Sequence, residues 1–111
     1  PLAAALLCAL TSPALAADPG RFWNLTGETI SSLTLAPAGT DQFGANQCAN
    51  DKDGTVDNDE RLRLTNITPG RYDVRLKFQR SNRQCTVHDV QLKDGGKVAF
   101  SLEAKDLKDC R

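Results

Sequence analysis

Apolar and polar residues alternate along much of the chain after residue 20, which is the period of β-strands with one buried face. In RYDVRLKFQ, residues 71–79, every second residue from Tyr72 is apolar and the others are polar or charged. ERLRLTNI, residues 60–67, repeats the alternation, and KVAFSLEA, residues 97–104, does so with an apolar face formed by Val98, Phe100 and Leu102. The pattern predicts an all-β fold with little helix: a small antiparallel β-sandwich of about six to seven strands.

Turn residues between these segments predict how the strands connect. The sequence TPG at 68–70 predicts a β-hairpin between the strands on either side of it, and KDGGK at 93–97 predicts a second hairpin in the same way. Near the start, RFWNLTGETISSLTLAP predicts one or two strands with a turn at 26–28. In QCTVHDVQL the apolar positions change parity, which predicts a bulge near His88 and Asp89.

The first residues have a different character from the rest of the chain. An apolar run from Leu2 to Leu10 is too short to cross a bilayer and is followed by the small residues Ala14 and Ala16. This pattern is typical of a secretory signal peptide, residues 1–16, cleaved after Ala16. We therefore expect a mature protein, residues 17–111, that is periplasmic or secreted and has no transmembrane anchor.

Composition narrows the possible functions. The 14 basic and 14 acidic residues give zero net charge, and only 5% of residues are aromatic, so there is no general case for nucleic-acid binding. Signal cleavage would leave Cys48, Cys85 and Cys110, which an exported compartment allows to oxidise. An odd number predicts one disulfide and one free or intermolecular thiol. No Cys-x-x-Cys motif is present, which argues against a redox site or a zinc knuckle.

An acidic segment, NDKDGTVDNDE, ends a long stretch (38–59) without predicted regular structure. Setting Gly54 as the glycine of an EF-hand loop places acidic residues at several ligand positions. The first ligand position is then Ala49, and the flanking sequences are not amphipathic helices. We expect a solvated loop, and the alternative is a weak structural calcium site formed by Asp51, Asp53, Asp57 and Glu60.

Cations are concentrated directly after the acidic segment. The outward positions of the first predicted hairpin form a mostly basic surface that consists of Arg61, Arg63, Arg75 and Lys77. The zero net charge therefore hides a dipolar chain, and this surface is predicted to contact an anionic envelope component or an acidic protein. Two alternatives are that the charges keep an exposed strand soluble, or that they pair with the acidic segment of another copy in a homo-oligomer.

Residues suited to catalysis are scarce. His88 is the only histidine, and Asp89 beside it would lie on the opposite face of a regular strand. The sequence contains no Gly-x-Ser-x-Gly, His-Glu-x-x-His or P-loop motif. We therefore expect a protein that is not an enzyme and uses no cofactor, apart from the calcium alternative.

The C-terminal half, CTVHDVQLKDGGKVAFSLEAKDLKDC, resembles a group of small, uncharacterised exported bacterial proteins with a Cys, a nearby Asp on a strand, an Asp-Gly turn and a closing Cys. The opening FWNLTGETISSLTLAP is similar to their first strand pair. The resemblance implies a periplasmic β-sandwich in which Cys85 is bonded to Cys110, and it implies no activity. The segment with Cys48 departs from the group, and spacing alone leaves a bond from Cys48 to either other cysteine open.

These observations predict a non-enzymatic, exported binding or envelope-associated module of unknown ligand. The alternatives are a structural calcium-binding domain that uses the acidic segment, and a small secreted inhibitor or effector.

Overall fold

A computed structural model describes residues 20–94 and 97–111 of the chain. These residues form seven strands: β1 (Arg21–Leu25), β2 (Ile30–Pro37), β3 (Arg61–Arg63), β4 (Gly70–Phe78), β5 (Gln84–Leu92), β6 (Val98–Glu103) and β7 (Asp109–Cys110). Two short 3-10 turns, Gln47–Asn50 and Ala104–Asp106, are the helical segments of this part of the chain. The predicted all-β fold is confirmed. The predicted signal peptide, residues 1–16, lies outside the described residues.

The strands form two sheets. The three-stranded sheet has the order β3-β1-β6 and the four-stranded sheet has the order β2-β4-β5-β7. All neighbouring strands are antiparallel except β1 and β6, which run parallel. The predicted bend at 26–28 carries the chain from β1 in one sheet to β2 in the other.

The structure contradicts both predicted hairpins. β3 and β4 flank the turn at 68–70 but belong to different sheets, and the same holds for β5 and β6 on either side of 93–97. Alternation shows which side of a strand is buried, but not which strand lies beside it, and both sheets bury one side against the same core. The hairpin that forms joins β4 to β5 through residues 79–83.

The core lies between the two sheets and takes inward residues from both. The three-stranded sheet contributes Phe22 and Phe100, whose ring centroids are 4.9 Å apart. The four-stranded sheet contributes Leu33, Val74 and Leu76, all fully buried. These side chains supply the apolar burial that stabilises the sandwich.

The prediction that Val98 shares one apolar face with Phe100 and Leu102 is wrong. The β1/β6 register shifts at Arg21, so that Val98 pairs with Arg21 whereas Phe100 pairs with Phe22. The intervening Ala99 is buried and takes the place in the core that Val98 was expected to fill. A single extra residue exchanges the faces of a strand. Val98 therefore lies on the outward side of the sheet and is partly exposed.

The bulge predicted in β5 is confirmed. Asp73 of β4 lies opposite both His88 and Asp89, so β5 has one extra residue at this point. Asp89 has a φ of 58°, the left-handed region that Asp adopts more readily than most residues. The bulge brings His88 to the same side of the sheet as Asp73.

A disulfide joins β5 to β7 through Cys85 and Cys110, which confirms the predicted pair. Cys48 is buried and is the free cysteine among the described residues. A disulfide fits a protein of an oxidising compartment. Among residues 20–94 and 97–111, none of the helical segments has the length and apolar character needed to cross a bilayer.

Candidate anion-binding face

The outward side of the three-stranded sheet carries arginines grouped around a tryptophan. We call this surface the arginine face, and define it by Arg21, Trp23, Arg61 and Arg63. On β1 the side chains of Phe22 and Asn24 are buried, so the residues that alternate with them face outward. On β3 the buried Leu62 separates two exposed arginines in the same way.

Strand pairing arranges these four side chains in two rows. Arg21 lies opposite Arg63, and Trp23 lies opposite Arg61. Side chains directly opposite each other have Cβ atoms about 4.5–5.5 Å apart, and successive outward residues on one strand are about 6–7 Å apart. The three guanidinium groups are therefore attached within one small patch.

Trp23 and Arg61 form a stacked pair. The Arg61 guanidinium carbon lies 4.0 Å from the Trp23 ring centroid, within the range of a cation–π interaction. The Trp23 indole N–H donates to Asp59 Oδ1 at 3.0 Å, which fixes the plane of the ring. The stack therefore holds one guanidinium in a defined orientation on the surface.

The guanidinium groups of the arginine face form no ion pair with another described residue. Among the described residues, Arg71 and Arg83 form ion pairs with carboxylates at 3.4 and 3.2 Å, whereas no carboxylate forms an ion pair with a guanidinium of the arginine face. Like charges directly opposite each other on neighbouring strands are destabilising. The Arg21/Arg63 pair therefore retains a local repulsion that a bound anion would relieve.

Three apolar side chains share this outward side with the arginines. Trp23 and Leu25 alternate along β1, and Val98 of β6 pairs with Arg21. All three are partly exposed. None of the three is among the partly buried apolar side chains that pack against the core, which are Ile67, Tyr72, Val87, Val90, Leu107 and Cys110. The surface therefore combines guanidinium groups with apolar side chains that the core does not use.

The four cations predicted to form one basic surface are divided between two sheets. Arg61 and Arg63 belong to β3 in the three-stranded sheet, whereas Arg75 and Lys77 belong to β4 in the four-stranded sheet. The side chains that alternate with each pair are buried in the common core, so the pairs lie on opposite outer sides of the sandwich. The Arg75 guanidinium carbon lies 3.9 Å from the centroid of the Phe43 ring.

Sequence reasoning missed Arg21 and Trp23. RFWNL contains two adjacent aromatic residues, and hydropathy alone does not say which one is buried. The available signal was the alternation of Phe22 with Asn24, because a strand that buries both must expose Arg21 and Trp23. Asparagine is mostly exposed in proteins, so the sequence alone did not favour a buried Asn24 and an exposed Trp23.

The acidic segment is held by local hydrogen bonds. Asp51 accepts from the backbone N–H of Asp53 at 2.9 Å, and Glu60 accepts from that of Asp57 at 2.8 Å. Asp57 also accepts from the Thr29 hydroxyl at 3.0 Å. Within the part of the chain that the structure describes, no group of three or more His, Cys, Asp or Glu side chains has an arrangement that could hold a metal ion.

His88 lies between two carboxylates on the four-stranded sheet. Its Nε2 is 3.3 Å from Asp109 Oδ2 and its Nδ1 is 3.5 Å from Asp73 Oδ1. The hydrogen bond to Asp109, followed by the charge of Asp73, raises the pKa of His88. The bulge that positions His88 thus places both ring nitrogens against acceptors, which favours the imidazolium form.

Asp73 connects this group to a loop. Its carboxylate accepts from the backbone N–H of Gly39 and from that of Asp89, both at 2.9 Å. The Gly39 N–H, the Asp89 N–H and the His88 ring lower the pKa of Asp73 against the opposing effect of burial. Asp73, the one acid among the outward residues of β4, is therefore buried and committed to local structure.

No protein-family model matches the chain, and comparisons with curated proteins and with solved structures give no match. The resemblance to small exported bacterial proteins stays a prediction.

Proposed function

We propose that this protein is an exported, non-enzymatic binding module that contacts an anionic partner through the arginine face. The observation that carries the proposal is the group of three arginines on one outward side of a sheet, two of them directly opposite each other, without an acidic partner among the described residues.

The chemistry of the face fits anions with several oxygen atoms. Its cations are all arginines, and a planar guanidinium can form two parallel hydrogen bonds to a phosphate, sulfate or carboxylate. The stack on Trp23 orients Arg61 in advance, which lowers the entropy cost of binding. The face contains no side chain suited to general acid–base work, so it supports binding rather than catalysis.

Retention on an immobilised sulfated dextran tests the proposal. We expect the wild-type protein to be retained and to elute with salt, although the formal net charge of the chain is zero. The double substitution Arg61→Gln with Arg63→Gln should elute at clearly lower salt, because it removes two of the three guanidinium groups of the face.

A matched control is available on the other sheet. Arg75→Gln with Lys77→Gln also removes two positive charges, and Arg75, like Arg61, stacks on an aromatic ring. We expect this variant to elute like the wild type. Equal loss of retention in both variants would mean that binding follows total charge, and a wild-type protein that is not retained would overturn the proposal outright. Circular dichroism and urea midpoints check that both variants are folded.

A further inference from the structure

We infer that the anionic partner of the arginine face is a phospholipid headgroup surface, on which the protein docks with Trp23 at the interface. This inference rests on the proposed function, because it uses the same face and names the partner. It depends on a second feature of the face, the apolar side chains that accompany the arginines.

The apolar and cationic side chains are interleaved rather than segregated. Arg21 has Arg63 on one side and Val98 on the other, because β1 lies between β3 and β6. Trp23 follows in the next row, between Arg61 and Ser101. Each of these two rows therefore contains one apolar side chain beside at least one arginine.

This combination distinguishes a lipid surface from a soluble polyanion. A soluble polyanion offers charge, for which arginines are sufficient. A bilayer surface offers anionic phosphates together with an interfacial layer in which tryptophan and aliphatic side chains are stabilised. Arginine suits the same boundary, because its aliphatic stem can lie against apolar groups while the guanidinium contacts phosphate.

The distribution of acids predicts the orientation of docking. Glu103 pairs with Leu25, and Asp59 accepts from the Trp23 indole, so both carboxylates lie at one end of the face. Arg21 and Arg63 lie at the other end. An anionic surface would therefore be approached by the Arg21/Arg63 end, with Trp23 near the middle of the contact.

The chain contains a single tryptophan, which makes Trp23 a direct reporter of docking. The predicted mature chain, residues 17–111, contains every residue of the core and is mixed with vesicles of phosphatidylglycerol and phosphatidylcholine. We expect co-sedimentation, a shift of tryptophan emission to shorter wavelength and quenching by lipids brominated in the acyl chain. Vesicles of phosphatidylcholine alone should give none of these signals, and sulfated dextran should bind without the emission shift.

Variants separate the charge and apolar contributions. Arg61→Gln with Arg63→Gln should weaken vesicle binding about thirty-fold, because it removes the binding free energy that two cations contribute near an anionic membrane. Arg75→Gln with Lys77→Gln should leave vesicle binding unchanged. Val98→Ser, next to Arg21 at the docking end of the face, should weaken vesicle binding about ten-fold while leaving elution from sulfated dextran unchanged.

Two results would overturn the inference and leave the proposed function standing. In the first, sulfated dextran binds through the arginine face but vesicles do not. In the second, vesicles bind without the emission shift and Val98→Ser has no effect, which would indicate charge attraction alone. If neither probe binds, both proposals fail.

Discussion

The substitution Asn24→Ala is expected to lower the free energy of unfolding by about 3–5 kcal/mol. Asn24 is fully buried on the central strand of the three-stranded sheet, directly behind the arginine face. Its amide donates to the carbonyls of Glu28 at 2.8 Å and Val56 at 2.9 Å. Its Oδ1 accepts from the N–H and the hydroxyl of Thr26, at 3.0 and 2.7 Å.

The magnitude follows from the groups that lose a partner. The N–H of Thr26 would be left without the Asn24 acceptor in a buried position, at a cost of about 1–3 kcal/mol, and the other three bonds contribute about 0.5–1.5 kcal/mol each. The carbonyl of Val56 retains its bond from the Ile30 N–H at 2.9 Å, which keeps the total from reaching the upper end of that sum.

Urea unfolding followed by circular dichroism measures the effect. Asn58→Ala is the matched control, because Asn58 accepts one exposed bond, from the Gly27 N–H at 2.8 Å. We expect that control to lose less than about 1 kcal/mol. Asn24→Asp should lose about as much as Asn24→Ala, because a carboxylate oxygen would face two carbonyls. If Asn24→Ala unfolds at the same urea concentration as the control, the hydrogen bonds do not stabilise the fold as reasoned.

Three further predictions concern the cysteines and the histidine. Replacing Cys85 and Cys110 with serine should lower the free energy of unfolding by about 3–4 kcal/mol, because the bond closes a loop with a sequence separation of 25, and equal urea midpoints would contradict this. Burial raises the pKa of the Cys48 thiol to about 12, so iodoacetamide should label it in urea but not in the folded protein at mildly alkaline pH; labelling at the unfolded rate would be the contrary result. The pKa of His88 is raised above its ordinary value of 6.5, so the protonated ring stabilises the folded protein. This stabilisation is complete below pH 6.5 and is lost as the pH rises through the folded-state pKa. An NMR titration should therefore place the midpoint above 6.5 and find it lowered by Asp109→Asn, and an unchanged midpoint would count against the role of Asp109.

The strands could be predicted from sequence because one side of each strand is buried and the other is not. Val74 and Leu76 alternate with charged residues, and such a pattern determines which side of the strand faces the core. The bulge was also predictable, because the apolar parity of QCTVHDVQL changes at His88 and both halves must still face the core.

The pairing of strands could not be predicted in the same way. Leu62 and Val74 lie on strands that the sequence predicts to form one hairpin, but the two strands belong to different sheets, and both residues are buried in the common core. The choice between these arrangements depends on the packing of the whole core rather than on the turn at 68–70.

The arginine face was only half predictable for the same reason. The sequence predicts Arg61 and Arg63 to be outward residues. The third arginine of the face, Arg21, lies about forty residues earlier in the chain, and only the β1/β3 pairing places it opposite Arg63. Trp23 was missed because its neighbour Phe22 is equally apolar. The buried Asn24, which shows that Phe22 and not Trp23 faces the core, is stabilised by hydrogen bonds to two separate segments, the turn at 26–28 and Val56.

The proposed function assigns the contact with an anionic partner to the outward side of the three-stranded sheet. Backbone amide NMR spectra recorded during titration with sucrose octasulfate, a compact polyanion, locate this contact residue by residue. We expect chemical-shift changes centred on Arg21, Trp23, Arg61 and Arg63, and little change at Arg75 and Lys77. Changes centred on β4, or spread evenly over both sheets, would show that the arginine face is not the binding surface.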